Sequence, residues 1–382
     1  MKEINEINSG KFDKPLKNLA PVLILFLLSR AFFLLMMFLG GRYSFSEILT
    51  LFDAEHYLNI AESGYYHESV TTFFPVIPLI LRFLGKPGLL VINNISFLAS
   101  LYLLKKILED SGYKETALLI TAILAFSPVG FFSMLLYTEA LFFFLTLLVF
   151  YFFSLRKYYL LSGILLGLSV CVRNTGSMLF AAIFIAEVVL LLKKEIRFKS
   201  ILLEFAPATA LSLAYPVFLQ LKFGNWKIFA DAQTTYWIRI SSNIFKTLFT
   251  SLKVIFSADL STYEDAATTI LFKVNESITT VLFIFSIVLV VKEILKLRKG
   301  FNPEGLILVL FMSLCIFCFG LTIRDPLLDC PTDSFYRYYY GMFPFFLMMK
   351  NLKKTTVAVC LGVTFLLSTI TSMLFCMGVF FF

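Results

Sequence analysis

Charge is what this sequence has least of. Only 15% of its 382 residues are Asp, Glu, Lys or Arg, against about a quarter in a soluble domain. Histidine occurs twice and tryptophan twice. No GxGxxG or GxxxxGK[S/T] loop follows a strand, and no polar stretch is long enough for a nucleotide-binding α/β domain. A soluble activated donor, such as a nucleotide sugar, therefore has no obvious place to bind. No repeat period and no low-complexity linker stand out. A cleavable leader is not evident either, because the first apolar run is longer than a signal h-region and is expected to remain as a helix.

What is present is hydrophobic. Apolar residues make up 59% of the chain, 46 of them Phe, and the mean hydropathy is +0.86. A globular core of this length cannot use so much apolar surface, whereas a bilayer can. The net charge is +8. Nucleic acid is excluded as the partner, because the basic residues do not gather on one face or in one tail. They recur in short clusters between apolar runs, which is the positive-inside pattern.

A membrane helix needs about 20 apolar residues. Candidate spans are 19–41, 88–104, 117–136, 140–155, 159–172, 175–192, 200–221, 277–292, 304–323, 338–350 and 355–378. Several are short or interrupted, so the expectation is an all-α polytopic bundle of nine to eleven transmembrane helices forming one domain over 1–382. If the spans alternate, six basic sites fall on one side together. They are the N-terminal lysines (Lys2, Lys11, Lys14, Lys17), Lys105–Lys106, Arg156–Lys157, Lys193–Lys199, Lys292–Lys299 and Lys350–Lys354. That side reads as cytoplasmic. The segments 42–87, 222–276 and 324–337 are then outside, with short interfacial helices expected in the first two. The cell membrane is the expected site in a prokaryote, the endoplasmic reticulum in a eukaryote.

The cysteines (171, 315, 318, 330, 360, 376) are scattered, mostly in apolar runs. Cys315 and Cys318 form a CxxC inside a predicted membrane helix, where packing is the favoured role. The sequon Asn275-Glu276-Ser277 falls outside on this topology, and it matters only in a secretory membrane.

The richest polar constellation is Asp53-Ala54-Glu55-His56-Tyr57-Leu58-Asn59-Ile60-Ala61-Glu62-Ser63-Gly64-Tyr65-Tyr66-His67-Glu68, which holds both histidines. At helical spacing Asp53, His56, Tyr57 and Ile60 share a face, and Ser63-Gly64 is a stop. A short amphipathic helix on the outer surface fits. Phe73-Phe74-Pro75-Val76-Ile77-Pro78 follows, and its two prolines suggest a re-entrant or interfacial turn. A partly desolvated Asp53 can serve as general base. The competing structural reading makes Thr50-x-x-Asp53 a capping box. His56 as a metal ligand is weaker than its role in a polar interfacial helix.

Tyr137-Thr138-Glu139 and Cys171-Val172-Arg173-Asn174 lie at outer helix ends. Ionisable residues at that depth are functional candidates by default. Arg173 suits a phosphate, or it pairs with Glu139 or snorkels to headgroups; for Glu139 the structural role is favoured. The second outer segment carries Gly224-Asn225-Trp226, Asp231-Ala232-Gln233 and Trp237-Ile238-Arg239. Its tryptophans read as an interfacial aromatic belt, or else as a stacking surface for a sugar or part of an amphipathic lid over a lipid. Arg337 stands among tyrosines at the end of the third segment and could hold a lipid phosphate.

These residues resemble a known family. Phe52-Asp53-Ala54-Glu55-His56-Tyr57, Ile60-Ala61, Gly64-Tyr65 and Phe73-Phe74-Pro75-Val76-Ile77-Pro78 look like the signature of the PIG-V family of membrane glycosyltransferases. Phe52 stands where Trp is common. Shorter matches are Ser127-Pro128, Tyr137-Thr138-Glu139-Ala140 and Val172-Arg173-Asn174-Thr175-Gly176. Phe223-Gly224-Asn225, Ala232-Gln233, Trp237-Ile238-Arg239 and Arg337-Tyr338 through Phe343-Pro344 look like the prokaryotic branch. The resemblance implies a GT-C fold and an inverting mannosyltransferase. The sugar would pass from a polyprenyl- or dolichyl-phosphate donor to a lipid-linked or membrane-proximal glycan acceptor outside. Asp53 would be the base, with Arg173 or Arg337 on the leaving phosphate. His56, Tyr57, Glu68, Glu139, Asn174, Gln233 and Trp237 are further substrate-binding candidates. A divalent metal at the donor phosphate is left open; no residue is assigned to it. The alternative is a lipid or small-molecule transporter or flippase, which should show midplane polar residues in two related halves. Another is a non-catalytic membrane subunit that docks through the first outer loop.

Overall fold

The computed structural model describes residues 2–257, 266–324, 331–332 and 335–379; over 2–18 and 266–269 it describes the backbone alone. Cys330, the N-terminal lysine side chains and parts of the second and third outer segments therefore lie outside the described residues.

The chain is almost entirely helical. In order come α1 (Lys2–Gly40), α2 (Phe45–Ile48), α3 (Asp53–Ser63), a 3-10 turn (Glu68–Thr72), α4 (Val76–Asp110), α5 (Lys114–Ala125), α6 (Pro128–Phe132), α7 (Glu139–Leu155), α8 (Tyr159–Val172) and α9 (Gly176–Leu192). Then follow α10 (Phe198–Phe223), α11 (Ile228–Thr235), strand β1 (Arg239–Ser241), α12 (Ile244–Phe256), α13 (Ala266–Lys299), α14 (Pro303–Gly320) and strand β2 (Thr322–Arg324). The last elements are α15 (Phe335–Tyr340), α16 (Phe343–Met348), a 3-10 turn (Met349–Asn351) and α17 (Lys354–Cys376). Among the described residues the one departure from all-α is the β1–β2 pair, antiparallel, with Arg239 opposite Arg324.

Among the described residues six segments are long and apolar enough to cross a membrane: Leu19–Gly40, Val76–Asp110, Phe198–Phe223, Ile270–Lys299, Pro303–Gly320 and Lys354–Cys376. The protein is a multi-pass membrane protein. Apolar α7, α8 and α9 are shorter, at 17, 14 and 17 residues. Their separation resolves the 140–192 stretch as expected.

Two expected spans are not single helices. The run 117–136 breaks at Ser127-Pro128: Pro128 has no N–H to continue α5 and instead starts α6. A side chain on Gly130 would stand 2.3 Å from the Ala125 carbonyl, so only glycine lets the two helices turn so closely. The run 338–350 breaks between α15 and α16, where Met342 is extended ahead of Phe343-Pro344. The Pro75–Pro78 turn is also corrected. Pro75 caps α4 and Pro78 sits in its first turn, where prolines are tolerated. The kink comes later, at Gly85 (φ 67°), two residues before Pro87. The sequon Asn275 is 1% exposed within α13 and so is shielded from modification.

The bundle has two chemically distinct ends. At one, Lys296 donates to the Tyr113 hydroxyl (2.8 Å) and Lys350 lies over the same ring. Lys193 lies over Phe301, and Arg156 faces Glu195. At the other end are Asp53, Glu139, Arg173 and Arg337. Helices α7 and α8 run between the ends, α7 from Glu139 to the residue before Arg156 and α8 back to the residue before Arg173.

Candidate functional site

Four charged side chains from four parts of the chain meet at the second end. Asp53 is the first residue of α3, and its Oδ2 accepts from Arg337 Nη2 at 2.6 Å. Arg337 Nε donates to Glu139 Oε1 at 2.5 Å. Arg173 Nη1 donates to that same Glu139 oxygen at 2.8 Å and to Thr138 Oγ1 at 3.1 Å. Glu139 is fully buried, while the Arg337, Arg173 and Asp53 side chains are 9%, 12% and 26% exposed. The formal charges sum to zero, as burial demands. The pairing of Arg173 with Glu139, weighed in the sequence, is present.

Local structure places each partner. The capping box expected at Thr50–Asp53 is not formed: Thr50 donates to the Glu47 carbonyl, and Phe52 caps α3 without a side-chain bond, at φ 55°. The capping box lies earlier, between Ser44 and Glu47 on α2. There the Ser44 hydroxyl and backbone N–H hold the Glu47 carboxyl below the usual carboxylate range. Asp53 is thus released from capping, and no bond to its Oδ1 is present among the described residues. Gly64 ends α3, as expected. Tyr137 OH donates to the Leu51 carbonyl at 3.0 Å and fixes the approach to Asp53. The Arg337 guanidinium lies over the rings of Phe132 (4.8 Å) and Tyr137 (5.1 Å), and Arg173 over Tyr338 (5.0 Å).

Beside the charges stands an aromatic wall. One and a bit turns along α3 from Asp53, Tyr57 is buried edge-on to Phe73. His56 stacks on Phe73 at 4.7 Å and meets Trp237 edge-on at 5.3 Å. Trp237 Nε1 donates to the Ser69 carbonyl at 3.0 Å, so the second outer segment is fastened to the first. His56 Nδ1 is buried without a partner among the described residues.

The remaining candidates stand apart. Glu68 starts the 3-10 turn and accepts from Tyr236 OH at 3.3 Å, in an exposed position. Gln233 is half-buried on α11 and Asn174 is exposed in the turn after α8; neither side chain joins the charged cluster. Glu139, expected among the substrate contacts, is instead closed off from solvent and bonded to two arginines. Sequence reasoning did not reach Tyr137 or Thr138 individually, although both lie in the Tyr137-Thr138-Glu139 motif. No group of three or more His, Cys, Asp or Glu side chains among the described residues is arranged to hold a metal ion. Cys315 is fully buried and Cys318 lies 3.5 Å from the Met178 sulfur, in keeping with packing.

Comparison of the chain with protein-family models, with curated proteins and with solved structures gives no match.

Proposed function

We propose that the protein is an integral membrane glycosyltransferase of the GT-C type, resembling the PIG-V family. It transfers a sugar, with inversion, from a polyprenyl- or dolichyl-phosphate donor to a glycan or lipid-linked acceptor on the non-cytoplasmic side. The observation that carries this reading is the division of labour in the charged cluster. Asp53 has one oxygen held by Arg337 and one with no bond among the described residues, on a side chain that solvent reaches. Arg173 uses Nη1 alone, and no bond to its Nε or Nη2 is present among the described residues.

In the reaction, Asp53 Oδ1 accepts the acceptor hydroxyl proton as that oxygen attacks the anomeric carbon. The bond from that carbon to the donor phosphate oxygen breaks, and its electron pair leaves with the lipid phosphate. A phosphate leaving group is already weakly basic, so it needs charge stabilisation more than a proton. The unused fork of Arg173 can supply that in a partly dry site. Arg337, already bound to two carboxylates, orients the base. Glu139 holds both arginines in register, which makes it a positioning residue. The partly exposed rings of His56 and Trp237 offer faces for a sugar ring, with Tyr57 buried behind them.

Purified protein in lipid, given polyprenyl-phosphate mannose, tests the reading, with wild type beside Asp53→Asn. Transfer by wild type and a loss of about a hundredfold or more in the variant is expected for a general base. Equal transfer by both would remove Asp53 from the chemistry. A folded wild type inactive with every lipid-phosphate sugar would overturn the transferase reading in favour of transport or docking.

A further inference from the structure

Arg30 lies in the middle of the first membrane span, in the segment Leu19–Gly40, and is 9% exposed. An ionised side chain at such depth is costly unless something in the fold requires it. No carboxylate pairs with it among the described residues. Its donors go to neutral oxygens instead. Nη1 reaches Ser133 Oγ at 2.7 Å and Asn94 Oδ1 at 3.2 Å; Nη2 reaches the Gly130 carbonyl at 2.9 Å. Ser29 Oγ accepts from both Nε and Nη2, and the guanidinium lies within 5 Å of the Phe26 and Phe97 ring centres. The fork is saturated, so it has no donor left for a ligand.

Two of the four acceptor residues lie on one stretch of chain, while Ser29 and Asn94 belong to α1 and α4. Gly130 and Ser133 belong to α6 and the turn that follows it. The same stretch is gripped again by the neighbour of Asn94. Asn93 Nδ2 donates to the carbonyls of Leu135 (2.9 Å) and Tyr137 (3.0 Å). Asn94 donates to the Leu90 carbonyl, which aims its Oδ1 at Arg30. Residues 130–139 are non-helical over the turn 133–138 and cannot hold themselves by a continuous backbone ladder. Yet this stretch sends two arms to the candidate base: Tyr137 OH to the Leu51 carbonyl, and Glu139 through Arg337 to Asp53.

We infer that Arg30, with Asn93 and Asn94, is a positioning centre that presets the 130–139 segment and, through Tyr137 and Glu139, the placement of Asp53. Arginine suits this task because a rigid fork of five donors can fasten several acceptors at once. Lysine offers three donors from one point, and methionine none. The kinetic half of the inference rests on the proposed transferase reading; the anchoring half does not.

The test uses the full chain in lipid bilayers, with Arg30→Met, Arg30→Lys and Asn94→Ala beside wild type. Two quantities are followed: backbone hydrogen exchange by peptide, and kcat and KM for transfer from polyprenyl-phosphate mannose. Arg30→Met is expected to speed exchange selectively in 133–139 and in 49–56. It should lower kcat about ten- to a hundredfold, the size of a small misplacement, with KM little changed. Arg30→Lys should recover part of both effects. Asn94→Ala, which removes one bond and folds more safely, should show the same pattern at about two- to tenfold. Unchanged exchange in both segments would overturn the inference, as would acceleration spread evenly over all helices, the mark of a merely stabilising residue. Selective exchange without a kcat effect would overturn the link to Asp53. An inactive wild type with selective exchange would remove the transferase reading and leave the anchor standing.

Discussion

At the scale of single residues, Glu139 is the hub of the charged end. One of its oxygens receives Arg173 and Arg337 together, and its own side chain has no solvent exposure. Replacing Glu139 by Gln keeps the volume and removes the charge on which both cations depend. Removing one partner of a buried ion pair costs about 3–5 kcal/mol. Asp53 is one-quarter exposed and meets one cation, so solvent compensates part of its loss. Glu139→Gln is therefore expected to lower the thermal unfolding midpoint in detergent clearly more than Asp53→Asn does. Equal midpoints would show that the network is not what holds this end together. Arg337→Met should resemble Glu139→Gln, since it leaves two carboxylates without their shared cation. Residue types alone pointed to Asp53, Glu139, Arg173 and Arg337, because ionisable groups at helix ends in an apolar chain need a reason. Which carboxylate would be buried as pivot and which left reachable was not legible there, because it depends on where α3 and α15 come to rest.

At the scale of elements, the most intimate packing is that of α8 against α10, and it brings Arg173 to its place. A side chain on Gly163 would meet the Glu204 carbonyl at 2.0 Å and Pro207 Cγ at 2.9 Å. Gly163→Val must then push the helices apart, and overpacking of this kind costs about 1–3 kcal/mol. Gly362 on α17 has nothing within 4 Å of the same position. The expected result is a lowered unfolding midpoint for Gly163→Val and an unchanged or raised one for Gly362→Val; the same shift in both would refute the close-approach account. The long helices were readable from apolar run length. The breaks at Ser127-Pro128 and Gly341–Pro344 were in view as residues, yet hydropathy passed over both because their flanks stay apolar. The Thr50–Asp53 capping pattern failed for a related reason. Ser44 and Glu47 offered the same chemistry six residues earlier and start α2 there.

At the scale of the whole molecule, the sorting of charge along the bundle predicts its orientation. With Glu55→Cys on α3 and Lys157→Cys in the turn after α7, a membrane-impermeant maleimide should label the first in intact cells. It should label the second only after permeabilisation. The reverse pattern would invert the topology and place Asp53 inside. The expectation rests on sequence, because scarce charge, apolar runs of membrane length and lysines recurring at alternate gaps depend only on composition and order. Those same features determined that this is a multi-pass helical membrane protein, since the bilayer rewards apolar length wherever it occurs. The tertiary structure decided what hydropathy cannot carry. It brought Asp53 and Arg337, 284 residues apart, to 2.6 Å, left one Asp53 oxygen without a bond among the described residues, and placed Arg30 where its fork fastens the turn behind them. Those outcomes are set by packing between distant helices, and a run of apolar residues does not specify which of its faces meets which neighbour.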